Sequence, residues 1–141
     1  MEDGSYTDKY IDISNWNVSK VENMDSMFYE CNEFNCDISK WDVRSLKTVQ
    51  FMFYNCSCFN QDISNWNIRN IENMSGMFMK CHEFNQDLSK WDISNVKYIR
   101  SIFSYCRSLD RDFNSWNVSN IKNFRFAFYR CNPNSIPKWY M

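Results

Sequence analysis

The sequence has little of several residues that build common functional sites. Its 141 residues include two glycines, two prolines and one histidine, and the 16 basic side chains nearly balance the 17 acidic ones. A net charge of -1 gives no overall field that would attract nucleic acid or an anionic membrane. One imidazole, His82, is too little for a Ser/His/Asp or Cys/His catalytic arrangement. We therefore expect a protein that is not an enzyme and needs no cofactor.

The chain also has no long apolar run and begins with no basic, apolar leader. Neither a membrane-spanning helix nor a secretion signal is therefore expected. This favours a location inside a cell or within a virus particle, and the alternative is a cell-surface location as part of a longer precursor. The odd number of cysteines, seven, favours free, buried thiols over a disulfide framework.

A repeat of 25 residues runs through most of the chain without an insertion. Four columns, each with one residue type in all five copies, define it, and we expect the aromatic and cysteine columns to form internal ladders. Their members are Asp12, Asp37, Asp62, Asp87 and Asp112; Trp16, Trp41, Trp66, Trp91 and Trp116; Phe28, Phe53, Phe78, Phe103 and Phe128; and Cys31, Cys56, Cys81, Cys106 and Cys131.

The spacing predicts a repeat solenoid of five 25-residue coils, because a single coil cannot close a core whereas stacked coils cover each other. We number these copies coil 1 to coil 5; they span residues 11–35, 36–60, 61–85, 86–110 and 111–135. Apolar residues two and three apart predict short parallel strands over 62–64 and 71–74, and a helical turn over 75–79. Residues 1–10 and 136–141 are expected to cap the two ends.

The repeat motif D-[IL]-S-x-W-[ND]-[VI], followed by M-x-x-M-F-x-x-C-x-x-F-N, resembles the repeat of the BspA-like leucine-rich-repeat surface proteins. The resemblance covers residues 11–135. It implies a leucine-rich-repeat-like solenoid and a role in adhesion or protein binding. It implies no catalytic residues.

The aspartate column could hold calcium, and the closely spaced cysteines could hold zinc, but simpler interpretations exist for both. Aspartates stacked one coil apart repel each other, so each needs either hydrogen bonds from its own turn, as from Ser64 to Asp62, or a cation in a calcium ladder. The near absence of glycine favours the hydrogen-bonded turn. The pairs Cys56/Cys58 and Cys31/Cys36 lack the spacing of a zinc site. We expect no metal.

The function predicted from these features is a structural or protein-interaction module, including a role as a component of a larger assembly such as a virus particle. The alternative is a surface adhesin that binds a host protein or glycan, which exposed tryptophans would favour. Columns that vary between coils are the best candidates for specific contacts. The candidate interaction residues taken from them are Lys80, Arg100, Tyr105, Arg125 and Arg130.

Charge is distributed unevenly along the repeat. Residues 1–35 carry a net charge of -6, and residues 111–141 carry a net charge of +4. We expect the protein to bind a protein partner, or a second copy of itself, through one face or through its ends. Head-to-tail self-association and contact of the basic end with an acidic partner are the two forms of this hypothesis. Neither nucleic acid nor a small-molecule substrate is expected.

Overall fold

The computed structural model describes residues 12–141, so the predicted cap at 1–10 lies outside the described residues. The predicted strand-based, leucine-rich-repeat-like solenoid is wrong. In residues 12–141 the helical structure consists of two 3₁₀-helices, Pro133–Ser135 and Lys138–Tyr140. The parallel pairing in this range consists of isolated bridges, which join Asn23 to Thr48, Thr48 to Asn73, Asn73 to Tyr98, and Tyr98 to Asn123.

Positive φ angles explain why neither a strand nor a helical turn forms after each bridge. In coil 3, Gly76 and Lys80 have φ values of 66° and 65°. Both strands and helices need successive residues with negative φ, so these two residues interrupt either structure. Turns therefore replace the helical turn predicted over 75–79. The strands predicted over 62–64 and 71–74 are also wrong, because Ser64 N–H donates to the Asp62 carboxylate and Ile71 N–H donates to the Ile68 carbonyl in turns. The second strand is reduced to the bridge at Asn73.

The turns after each bridge hold neighbouring coils together through an alternating pattern of backbone hydrogen bonds. We call residues 24–31 and their equivalents the turn segment. Starting at position 24, every second N–H donates to a carbonyl of the next coil. The N–H groups at positions 27, 29 and 31 donate to carbonyls three residues back in their own turn. In coil 3 the inter-coil bonds run from Met74, Gly76, Phe78 and Lys80 to Tyr98, Arg100, Ile102 and Ser104, at 2.8–3.0 Å.

Tryptophan side chains join the coils on a second side of the stack. The indole N–H of Trp66 donates to the carbonyl of Ile38 at 3.1 Å, and Trp41, Trp91 and Trp116 make the equivalent bond. Trp41 and Trp66 lie nearly parallel, with ring centroids 6.5 Å apart. Each indole therefore fills the core and also satisfies a backbone carbonyl of the preceding coil.

Phenylalanines form the centre of the core. Phe78 stacks on Phe53 and Phe103 at centroid distances of 5.7 and 5.6 Å, and on Phe84 of its own coil at 4.3 Å. These rings are fully buried. Coil 1 differs, because Phe28 is only partly buried and Trp16 is 50% exposed. Burial of the column residues therefore increases from the first coil to the second.

The residues after the repeat replace part of a sixth coil. Trp139 donates its indole N–H to the carbonyl of Phe113 at 2.9 Å, so it makes the bond that a sixth column tryptophan would make. Its ring and that of Tyr140 lie edge-on to Phe128. The hydroxyl of buried Ser135 donates to the Leu109 carbonyl and accepts from the N–H of Arg111. We call residues 133–141 the C-terminal segment.

Cysteine thiols are held in the same way as the indoles. The thiols of Cys56, Cys81 and Cys106 donate to the carbonyls of Phe28, Phe53 and Phe78 at 2.9–3.0 Å. Burial raises the pKa of Cys56 to about 12 and that of Cys131 to about 11, and it raises the pKa of Cys81 and Cys106 as well. Cys31 is exposed, although burial raises its pKa too.

These positions predict the order in which the thiols react, since the thiolate is the nucleophile and must be accessible. Alkylation of the folded protein at about pH 8 should modify Cys31 together with the half-buried Cys36 and Cys58. Cys56, Cys81 and Cys106 should react only on unfolding. Peptide mass spectrometry after timed labelling measures this order. The repeat alone predicts that Cys36 and Cys58 react first, because they lie outside the cysteine column, and the structure adds Cys31. Equal rates for Cys81 and Cys31 in the folded protein would contradict the prediction.

Candidate interaction surface

The aspartate column forms a row of hydrogen-bonded turns. The carboxylate of Asp62 accepts from the backbone N–H and the hydroxyl of Ser64 at 3.0 and 2.6 Å. Asp12, Asp37, Asp87 and Asp112 accept a backbone N–H from the residue two positions on. In Asp62 these hydrogen bonds hold the carboxyl pKa below its usual range, although burial and the neighbouring Asp87 carboxylate act in the opposite direction. Hydrogen bonds of this kind are the simpler of the two interpretations weighed for the column.

The lowered pKa values predict a loss of stability in acid. A carboxyl group with a lower pKa in the folded than in the unfolded state stabilises the fold above its unfolded pKa, which is about 3.9 for aspartate. The stabilisation is lost as the pH falls through the folded pKa. Asp12, Asp37, Asp62 and Asp87 share this shift. We therefore expect the melting temperature to fall below about pH 4.

Asparagine is the matched substitution for this test, because its Oδ1 accepts the same turn hydrogen bond but does not titrate. Asn117 already makes this bond with Ser119. At neutral pH the triple variant D37N/D62N/D87N should have a lower melting temperature than the unchanged protein, because a neutral amide accepts these hydrogen bonds more weakly than a carboxylate. Its melting temperature should depend less on pH between about 5 and 2 than that of the unchanged protein. An identical pH profile for the two proteins would contradict this prediction.

The outer side of the turn segments carries the candidate interaction residues. We call positions 25, 26, 29 and 30 of coil 1 and their equivalents the turn face. A continuous row of aromatic and cationic side chains crosses it. Tyr29 stacks on Tyr54 at 4.5 Å, and the Lys80 ammonium lies 5.6 Å from the ring centroid of Tyr54 and 6.0 Å from that of Tyr105.

The row continues into the last coil. Tyr105 lies edge-on to Tyr129 at 5.7 Å, and the Arg130 guanidinium lies 5.4 Å from the Tyr129 ring and donates to its hydroxyl at 3.1 Å. Arg125 lies over the ring of Phe126 at 4.9 Å, and Phe126 lies edge-on to Tyr129 at 5.5 Å. The structure therefore brings Lys80, Tyr105, Arg125 and Arg130 together. Arg100 lies beside this row, where it lines a small depression with Phe51 and Ser75.

Charge on the turn face changes sign along the stack. Asp25 and Glu30 lie in coil 1, whereas Lys80, Arg100, Arg125 and Arg130 lie in coils 3 to 5. None of these four cations forms an ion pair within the described chain. Lysines outside the turn face form ion pairs: Lys47 pairs with Glu22, and Lys97 pairs with Glu72, each at 2.6 Å. The basic half of the turn face therefore has positive charge available for a partner.

Sequence reasoning missed several residues of this surface. Tyr29, Tyr54 and Tyr129 share a column whose other members are Met79 and Ser104, so no constant residue type marked it. Outside this surface, Trp139 was also missed, because it lies 23 residues after Trp116 and not at the 25-residue spacing of the tryptophan column. Tyrosines that recur in an otherwise variable column were the available signal.

Residues 12–141 contain no group of three His, Cys, Asp or Glu side chains that could hold a metal ion. Over the same range, no helix has the length and apolar character needed to cross a bilayer. His82 is half-buried, and its carbonyl accepts from the N–H of Ser108.

Comparison with known proteins identifies a family without a known activity. No curated protein and no solved structure matches the chain. One family matches over residues 7–78 and 37–139, which together include nearly all of the sequence, and it is described as a Mycoplasma protein of unknown function, DUF285. The chain belongs to this family.

Proposed function

We propose that this chain is a non-enzymatic protein-interaction module that binds an acidic segment of a partner protein through the basic half of its turn face. The observation that carries the proposal is the group of four cations without carboxylate partners, Lys80, Arg100, Arg125 and Arg130. Three of them lie against aromatic rings. Arginine and tyrosine are enriched where protein interfaces concentrate their binding energy.

The repeat itself argues against catalysis. An active site needs different groups that converge, whereas a column supplies one group at even intervals. The Asp62 carboxylate is already engaged by Ser64, and the Cys81 thiol by the Phe53 carbonyl. A rigid surface with a regular spacing is better suited to contact along an extended partner, including a neighbouring subunit in an assembly such as a virus particle.

The surface-adhesin role is the second candidate. It is supported by the resemblance to BspA-like surface proteins, for which adhesion is the implied role, and by the exposed indole of Trp16. Trp41, Trp66, Trp91 and Trp116 are each 3–4% exposed and use their N–H groups internally. The row of tryptophans that would favour glycan binding is therefore not available in coils 2 to 5.

A charge-reversal experiment tests the proposed surface. A synthetic glutamate-rich peptide should bind the unchanged protein, and its glutamine counterpart should not. The K80E/R100E variant should bind the glutamate peptide at least about tenfold more weakly, because like charges then face each other. The K40E/K90E variant makes the same change in net charge at exposed lysines outside the turn face, so it should bind as the unchanged protein does.

Binding measured by fluorescence anisotropy should also weaken as salt rises from about 50 to about 500 mM, since screening shortens the reach of exposed charges. Equal weakening by both variants would show that net charge alone attracts the peptide. That result, or the absence of any binding, would contradict the proposed function.

A further inference from the structure

The end of the stack at coil 5 has an unused backbone edge. In coils 1 to 4, four N–H groups of each turn segment donate to the next coil. The equivalent N–H groups of the last coil belong to Phe124, Phe126, Phe128 and Arg130, and none of them has an acceptor within the described chain. The carbonyl of Lys122 is likewise unused, although each equivalent carbonyl before it accepts from the next coil. An unpaired edge of this kind is a template for pairing with another chain.

The C-terminal segment covers only part of this end. Trp139 occupies the place of the next column tryptophan, and Tyr140 lies against Phe124 and Phe128. Phe128 is consequently 2% exposed, whereas Phe124 and Phe126 remain 41% and 37% exposed. The core is closed on the tryptophan side, but the hydrogen-bonding edge of the turn segment is left open.

This partial covering decides which kind of occupant fits. A complete second copy stacked in register would bring its residues 12–16 to the position that Trp139 and its neighbours already fill. An extended segment that runs only along the turn segment avoids this overlap. It would supply carbonyls to the four N–H groups and an N–H to the Lys122 carbonyl, as in the addition of a strand to a sheet edge.

The side chains along the edge specify the chemistry of that segment. Lys122, Arg125 and Arg130 are exposed and form no ion pair within residues 12–141. Inside the stack, a residue lies beside its equivalent in the next coil, as Lys47 lies beside Glu22. Carboxylates in the same three positions of the occupant would therefore meet these cations, and an apolar side chain would cover Phe124.

We propose that the edge at Phe124–Arg130 binds an extended acidic peptide segment of a partner, which pairs with the free N–H groups and completes part of a sixth coil. Residues 21–30 of this chain have the required pattern, with Glu22, Asp25 and Glu30 in the acidic positions and Met24 in the apolar one. A peptide of this sequence with Phe28→Ala, which leaves room for Tyr140, is a suitable probe. The edge shares Arg125 and Arg130 with the basic half of the turn face but adds Lys122 and the free backbone N–H groups, so this inference goes beyond the proposed function.

The test is a titration followed by amide hydrogen exchange in NMR spectra. The peptide should slow exchange at Phe124, Phe126 and Arg130, and leave exchange at Met74 and Phe78, which are already bonded, unchanged. Reversal of the three peptide carboxylates to lysine should weaken binding at least about tenfold. The R125E/R130E variant of the protein should likewise bind the unchanged peptide at least about tenfold more weakly. The K80E/R100E variant, which tests the turn face, should bind the peptide as the unchanged protein does.

Tethering the peptide to the C-terminus through a Gly-Ser linker raises its effective concentration, so weak affinity cannot hide the interaction. The tethered peptide should protect the same amides. The inference is wrong if the tethered peptide leaves them unprotected, or if the free peptide binds without protecting them. It is also wrong if they are protected in the concentrated protein alone, because a second copy would then occupy the edge.

Discussion

Replacement of Trp66 by alanine is expected to lower the free energy of unfolding by about 3–5 kcal/mol. Trp66 is 4% exposed and stacks on Trp41, so its removal leaves a cavity between coils. It also removes one of the two donors to the buried carbonyl of Ile38, which keeps the backbone N–H of Trp41. Denaturant unfolding followed by circular dichroism measures the loss.

Trp16→Ala is the matched control for this prediction, because it removes the same side chain from the same column. Trp16 is 50% exposed. Its loss should cost less than about 1 kcal/mol, as expected for a substitution away from the packed interior. Similar losses for the two variants would contradict the interpretation that coil 1 is packed differently from coil 3.

Replacement of Gly76 by alanine is expected to lower the free energy of unfolding by about 2–4 kcal/mol, through overpacking and the left-handed backbone together. A Cβ atom at Gly76 would lie 2.3 Å from two ring carbons of Phe51, and Gly76 has a φ of 66°. The ring of the preceding coil therefore occupies the space that the glycine leaves. Ser101 lies in the same column, has a φ of 59° and already carries a Cβ atom, so Ser101→Ala should change stability little.

A double-mutant cycle separates the two causes. With Phe51→Ala in place, the clash is removed, and Gly76→Ala should then cost about 1–2 kcal/mol, which is the expected penalty for a left-handed residue. Equal costs in the two backgrounds would show that Phe51 does not oppose the added methyl group. The measurement is again the free energy of unfolding, determined for all four proteins under one set of conditions.

The repeat spacing predicted which side chains face the interior. Trp66, Phe78 and Cys81 are buried because neighbouring coils present equivalent atoms to them. Trp16 and Cys31 have the same residue types in the same columns but are exposed, since each lies in coil 1. A column identifies what a residue would contact in the middle of the stack. It does not tell what covers that residue at an end.

Backbone conformation was harder to predict. The strands predicted over 62–64 and 71–74 were wrong because Ser64 and Ile71 donate their N–H groups within turns. The helical turn predicted over 75–79 was wrong because Gly76 has a positive φ. Positive φ normally marks glycine or asparagine. Here the residues with positive φ lie in two columns, and only Gly76 and Asn55 are of these types. The others, which give no such signal, are Ser26, Glu30, Phe51, Lys80, Ser101, Tyr105, Phe126 and Arg130. In coils 1 to 4, hydrogen bonds from these residues to the next coil hold them in a conformation that their own preferences oppose. Phe126 and Arg130, in the last coil, have the same conformation without such a bond within residues 12–141.

The sequence predicted which residues of the candidate surface vary, but it did not predict their contacts with one another. Variation between coils singled out Lys80, Arg100, Tyr105, Arg125 and Arg130 as positions that the core does not determine. Variation did not show which of them meet in space. The contacts of Lys80 with Tyr54 and Tyr105 depend on how far a long side chain reaches across adjacent coils. That distance is a property of the folded stack and is not encoded in any single copy of the repeat.

The bonds that link each coil to its neighbours also limit how a gene for such a protein can change length. The indole of Trp66 reaches a carbonyl 28 positions earlier, and the thiol of Cys81 spans the same interval. Insertion of one codon between two such partners would displace both donors from their acceptors. Duplication or loss of all 25 codons of coil 3 would restore equivalent partners at the new junction. We therefore expect natural variants of this protein to differ in length by whole coils, and their genes to grow or shrink in units of about 75 nucleotides, because three nucleotides encode each of the 25 residues of a coil.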